Sequence, residues 1–212
     1  RALYESHWAA SLADAQLPDG SWGRFHSQDT QVKTPFPTSE FAIRKALALG
    51  LDGRSPILQK ASAYIQAHLE GGVTWTDRVE KQDHPGVWST NIRTISGGML
   101  ALIEPDHPLL DPLRAYWADV VAAAFAGGSY DREAESAREQ ILMGIPSRRM
   151  YPFHAFYPLP ILSSKADLLP PELEQQMIAN MLQREDGMYY VCPRRLDVLR
   201  RTDETAFESW LT

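Results

Sequence analysis

Apolar side chains recur at the three- and four-residue spacing of an α-helix along most of the chain, and few stretches alternate as strands do. Glycine, proline and capping residues divide this pattern into about nine segments joined mostly by short connections. We predict helices at 2–16, 41–49, 56–69, 90–103, 111–125, 131–143, 170–183 and 202–212, a polar loop at 73–88 that holds Trp75 and Trp88, and broken helix or loop at 146–160. Short connections favour antiparallel helical pairs, so the prediction is one all-α domain over 1–212, built of stacked helical hairpins.

A faint internal repeat supports the stacking. Gln16–Trp22 and Gln183–Tyr189 share one spacing: a glutamine, two residues, Asp-Gly, one residue and an aromatic. Each closes a helix, and a new helix opens about twenty residues later, at Thr38–Ala42 and at Thr202–Ala206. A third copy over 60–75 lacks the glutamine. The glutamine amide can bond carbonyls at the helix end or in the neighbouring repeat, while the ring covers the adjacent helix, so these residues are predicted to be structural staples.

This pattern, Gln-x-x-Asp-Gly-x-Trp after a helix, resembles the glutamine–tryptophan repeat of squalene–hopene and oxidosqualene cyclases. The resemblance covers 5–70 and 172–211 and is weak between 73 and 170. It implies an α/α toroid like that of terpenoid cyclases and protein prenyltransferases, in a partial or shortened form because a complete ring has more helices. It also implies that an isoprenoid or another apolar ligand binds in a central cavity, with or without turnover.

The catalytic candidates lie in Arg201–Ala206, which resembles the Asp-x-Asp-Asp-Thr-Ala motif of cyclases that protonate an alkene or epoxide. Asp203 matches the acid of that motif, Glu204 replaces its second acidic partner, and Arg201 replaces its first aspartate. A neighbouring arginine would hold Asp203 ionised, which opposes acid catalysis. The alternative is structural, because Thr202 or Asp203 suits an N-cap and acids suit the first turn of a helix.

Candidate ligand-binding residues come from an aromatic segment, from the repeat and from basic pairs. The aromatic segment 150–158 could line an apolar pocket or fill the core between helices. Arginine pairs at 148–149, 194–195 and 200–201 could hold a diphosphate or form a solvated face. The candidates are Trp22, Phe153, His154, Phe156, Tyr157, Arg200 and Arg201.

Composition and net charge argue against several classes of function. A net charge of −6 argues against binding to nucleic acid, and no apolar run is long enough to span a bilayer. Cys192 is the single cysteine, so no disulfide forms within the chain, which fits a cytoplasmic location. Nothing matches zinc-ligand spacing, so neither a metal nor a cofactor is predicted.

Two other functions remain open besides ligand binding. One is a helical-repeat interaction module without chemistry. The other is a carbohydrate-active enzyme, which needs two carboxylates in a cleft. Glu40, Asp77, Asp83 and Glu204 are available for that pair, and their spacing does not choose between them.

Overall fold

The computed structural model describes residues 6–27, 35–78, 85–145 and 152–183, which contain eight α-helices and no strand. The prediction of an all-α fold is confirmed for this part of the chain. A short 3₁₀ helix, Pro108–Leu110, leads into the fifth α-helix. The α-helices are α1 His7–Ala15, α2 Ser39–Ala48, α3 Pro56–Leu69, α4 Pro85–Ile103, α5 Asp111–Ala124, α6 Arg132–Met143, α7 Pro158–Ser163 and α8 Pro171–Leu182. None of the helices in the described ranges is long and apolar enough to cross a membrane.

Local sequence explains most helix starts. The Thr38 side chain accepts a hydrogen bond from the Phe41 N–H at the start of α2, and Asp131 caps α6 in the same way. The start of α4 was predicted too late: the helix begins at Pro85, so Trp88 lies in the helix rather than in a loop. Proline suits the first turn because its fixed φ is already helical and its missing N–H is not needed there.

Helix α4 lies at the centre of the packing and contacts α2, α3, α6 and α7. Two adjacent glycines permit this closeness. A Cβ added at Gly97 would lie 2.2 Å from the Leu113 side chain, and one at Gly98 would lie 2.7 Å from the Tyr157 carbonyl oxygen. A side chain at either position would overpack the core, so the glycine pair marks close helix packing.

The first copy of the repeat is a staple, as its residues predicted. The Gln16 amide donates to the Gly20 and Ile57 carbonyls at 2.9 Å each, which ties the end of α1 to the start of α3. The Trp22 indole N–H donates to the Leu12 carbonyl at 2.9 Å. Gly20 has a φ of +90°, and a Cβ there would meet the Lys60 backbone at 2.2 Å. Of the second copy, only Gln183 lies within the described residues.

Helix α6 packs on α5 with an unusual inner face. Its buried residues are the carboxylates Glu135 and Glu139, whereas Ile141 and Leu142 are exposed. Glu135 accepts hydrogen bonds from the Tyr130 hydroxyl, the Arg132 guanidinium and the Phe153 backbone N–H. Neither oxygen of Glu139 has a hydrogen-bond partner among the described residues. The helix therefore buries two carboxyl groups where its neighbours bury mainly apolar side chains, and burial of a carboxyl group is costly in its charged form.

Candidate functional site

Part of the predicted site lies outside the described residues. This applies to the catalytic candidates Asp203 and Glu204, to the ligand-binding candidates Arg200 and Arg201, and to the other arginine pairs. Their roles stay predictions. Trp22 and the aromatic candidates between 153 and 157 can be located.

Trp22 borders a cleft of about 490 Å³. The cleft lies between the loop after α1, the second half of α3 and the segment after α3. Trp22 itself is only 3% exposed, and its indole N–H is already bonded to Leu12, so it has little free surface at the cleft. The lining residues are Leu17, Asp19, Ser21, Trp22, Gly23, Arg24, Pro37, Tyr64, His68, Val73, Thr74 and Thr76.

Tyr64 and His68 supply the buried polar groups of the cleft. They are one helical turn apart on α3, their ring centroids are 4.3 Å apart, and their residues are 7% and 6% exposed. His68 Nδ1 is 2.8 Å from the Tyr64 carbonyl oxygen and must be the donor, because a carbonyl can only accept. Trp75 stacks on His68 at 4.1 Å and lies 6.1 Å from the Tyr64 ring, so it contacts both residues and holds the imidazole in place.

Leu17 and Val73 add apolar side chains to the mouth of the cleft, which also has exposed polar ones at Asp19, Thr74 and Thr76. The two apolar residues are close to half exposed, and both line the opening. Apolar side chains exposed around a concave surface are typical of a ligand-binding site, since a ligand can cover them. The cleft thus has a mouth of mixed apolar and polar side chains and a polar floor formed by Tyr64 and His68.

Asp77 fixes the loop that carries Trp22. Its carboxylate accepts hydrogen bonds from three successive backbone N–H groups, those of Phe25 at 2.9 Å and of His26 and Ser27 at 2.6 Å each. The Asp77 side chain is buried, and successive N–H groups directed at one anion form a strong site for it. The wall of the cleft is therefore held by the segment after α3.

A second polar cluster lies at the far end of the same loop. His26 Nδ1 is 2.7 Å from Glu40 Oε2, and the Tyr157 hydroxyl donates to Glu40 Oε1 at 2.9 Å. The hydrogen bond to Glu40 raises the pKa of His26 above its ordinary value of 6.5, against the opposing effect of burial, and Asp77 adds to the rise. A histidine backed by a carboxylate can exchange a proton through Nε2. None of the three side chains lines the cleft, and the contacts fix loop 22–27 against α2 and the segment before α7.

The aromatic segment does not converge on the cleft. Phe153 is fully buried, with Phe125 at 5.6 Å and Tyr130 at 5.5 Å, which is the core position given above as the alternative. His154 lies half-buried beside Tyr130. Phe156 receives the Arg44 guanidinium over its ring at 4.4 Å, and Tyr157 bonds Glu40. Of the located ligand-binding candidates, Trp22 alone lines the described cleft.

The sequence interpretation missed the polar floor. Neither Tyr64 nor His68 is among the candidate site residues that the sequence predicts. Their four-residue spacing is a signal that both side chains share one helix face. The carboxylates Glu40 and Asp77 are each bonded to the His26 loop and do not line the cleft as a glycosidase pair would.

Comparison with known proteins adds no relative. No protein family matches the chain, and neither a curated protein nor a solved structure does.

Proposed function

We propose that the protein binds a small apolar molecule of isoprenoid type in the cleft bordered by Trp22, Tyr64 and Val73. The observation that carries the proposal is the cleft of about 490 Å³, because this volume is in the usual range for small-molecule sites. Leu17 and Val73 offer apolar contact, which suits a branched hydrocarbon chain.

The proposal includes the helical array that carries the cleft, an open or shortened α/α toroid of the terpenoid-cyclase type. Support comes from the staple at Gln16, whose amide joins α1 to α3 through the Gly20 and Ile57 carbonyls. The same spacing recurs at Gln183–Tyr189. Units that fasten the end of one helix to the next hairpin can be stacked in a curved series.

Filling the cleft tests the proposal. Thr76 is exposed at the cleft, and Thr76→Trp places an indole in the space that a ligand would occupy. Isothermal titration with geraniol and farnesol should show binding to the unchanged protein and at least tenfold weaker binding to Thr76→Trp. Lys165→Trp adds the same side chain at an exposed position that does not line the cleft and should leave the affinity unchanged. Absence of binding by both alcohols, or equal affinity in Thr76→Trp, would reject the proposal.

The alternative function, an interaction module without chemistry, is favoured by a different surface. Ile141 is 68% exposed on α6, and a shallow groove beside it is lined by Ala137, Gln140, Gly144 and Ile145. Exposed apolar side chains of this kind mark protein contacts. Failure of every small ligand, together with self-association that Ile141→Asp abolishes, would favour this function instead.

A further inference from the structure

The floor of the cleft leaves two polar atoms for a ligand. The Tyr64 hydroxyl and His68 Nε2 have no hydrogen-bond partner within the described part of the chain, and neither is sealed away from the cleft that the two residues line. Tyr64 and His68 are each more than nine-tenths buried, and a polar group on such a residue is costly to leave unpaired once a ligand has displaced water. The ligand therefore has to satisfy both atoms.

The roles of the two atoms are fixed by their surroundings. Because Nδ1 of His68 donates to the Tyr64 carbonyl, Nε2 of the neutral ring is an acceptor. Burial raises the pKa of the Tyr64 hydroxyl well above 10.0, and the charges of Asp77 and Asp19 add to the rise, so the hydroxyl keeps its proton and can donate. The floor thus presents one donor and one acceptor on adjacent rings.

We infer that the cleft recognises an alcohol: the ligand hydroxyl accepts a hydrogen bond from Tyr64 and donates one to His68 Nε2. This inference rests on the proposed function and names the chemical class of the ligand. A hydrocarbon would leave both atoms unpaired. An ether could accept from Tyr64 but could not donate to His68.

A diphosphate fits the floor less well than an alcohol. An anion has no hydrogen to donate to His68 Nε2, and the carboxylates of Asp19 and Asp77 both act electrostatically on the Tyr64 hydroxyl. The negative charge of these two carboxylates opposes binding of a further anion beside the Tyr64 hydroxyl. Arg24 also lines the cleft, so geranyl diphosphate is included among the ligands tested.

Four ligands with one carbon skeleton test the inference on the full chain. Isothermal titration compares geraniol, geranyl methyl ether, the matching hydrocarbon 2,6-dimethylocta-2,6-diene and geranyl diphosphate. Geraniol should bind about tenfold more tightly than the hydrocarbon, since two hydrogen bonds of ordinary strength correspond to about that ratio. The ether should lie between them, and the diphosphate should bind more weakly than geraniol.

Tyr64→Phe removes the donor without changing the ring. It should weaken geraniol and the ether by about threefold to tenfold and leave the hydrocarbon unchanged. Tyr116→Phe is the matched control, because Tyr116 is on α5 and does not line the cleft. Equal affinity for geraniol and the hydrocarbon, tighter binding of the diphosphate, or an unchanged geraniol affinity in Tyr64→Phe would overturn the inference while the proposed function stands. Failure of all four ligands to bind would reject the proposed function itself.

Discussion

Because the Glu139 carboxyl is buried, we predict that the free energy of unfolding depends on pH. Its side chain is fully buried, and neither oxygen has a hydrogen-bond partner within the part of the chain that the structure describes. Desolvation raises its pKa from 4.5 to about 8, the charge of Glu135 adds to the rise, and the Arg132 guanidinium at 3.9 Å opposes it. The folded protein therefore holds a proton on Glu139 at neutral pH that the unfolded chain releases.

The sign and size of the effect follow from this difference. Between pH 4.5 and about 8 the folded state binds more protons than the unfolded state, so the free energy of unfolding falls as the pH rises and levels off above pH 8. Each pH unit in that window costs about 1.4 kcal/mol at most. From pH 5 to pH 7.5 the loss attributable to Glu139 is therefore about 3 kcal/mol.

Glu139→Gln removes the titrating group while keeping its shape. Urea unfolding of both proteins at several pH values between 5 and 7.5 gives the difference in the free energy of unfolding at each pH. Glutamine adds a constant offset of about 1–3 kcal/mol because its amide is also buried without partners. The test is therefore how the stability of Glu139→Gln relative to the native protein changes with pH. This relative stability should be about 3 kcal/mol higher at pH 7.5 than at pH 5.

The control for the charge change is Glu133→Gln, which alters an exposed glutamate of the same helix. A difference between the native protein and Glu139→Gln that stays constant from pH 5 to pH 7.5 would refute the reasoning. Such a result would mean that Glu139 is paired or solvated, contrary to its described surroundings.

Two further predictions concern the loop and the staple. Glu40→Gln should lower the pKa of His26, as followed by NMR titration of the imidazole, because the hydrogen bond to Glu40 is the largest cause of its rise. Because the pKa of His26 is raised in the folded state, its stabilising effect is complete below pH 6.5 and is lost as the pH rises through the folded value. Glu40→Gln should therefore lower the free energy of unfolding more at pH 5.5 than at pH 8.5. An unchanged His26 titration would contradict the assignment. Gln16→Ala should lower the free energy of unfolding by about 1–3 kcal/mol, since two carbonyls lose their donor. Gln59→Ala, on the exposed side of α3, is the control and should have little effect. Similar losses in the two variants would argue against the staple.

Local signals in the sequence were sufficient for most of the helices and for the first staple. Apolar spacing and capping residues located α1, α2, α3, α5, α6 and α8, whereas α4 began five residues earlier than predicted and α7 lies partly in a segment predicted as broken helix or loop. The Gln16 motif correctly predicted a bond to a neighbouring unit, at the Ile57 carbonyl, while its other bond is to Gly20 in the turn after α1. The start of α4 was misplaced because Pro85 and Gly86 are as common in loops as in a first helical turn.

Long-range contacts explain what the sequence could not provide. The cleft exists because the loop after α1 and the segment 73–76 lie on either side of Tyr64, and no local pattern reports that approach. The buried glutamates of α6 could not be predicted from the sequence either, since a helix rich in glutamate ordinarily directs its carboxylates to solvent. Glu135 is buried because it receives the Phe153 N–H from 18 residues further along the chain.

Neighbouring residues of the segment after α3 make different kinds of contact. Val73, Thr74 and Thr76 border the cleft, while Trp75 packs on His68 and Asp77 binds the backbone of the neighbouring loop. Under the proposed binding function, substitutions at Val73, Thr74 and Thr76 change the ligand preference, while Trp75 and Asp77 keep the segment in place. Ligand preference under that proposal can therefore change through a few exposed side chains, while the contacts that hold the segment against α3 and the neighbouring loop stay the same.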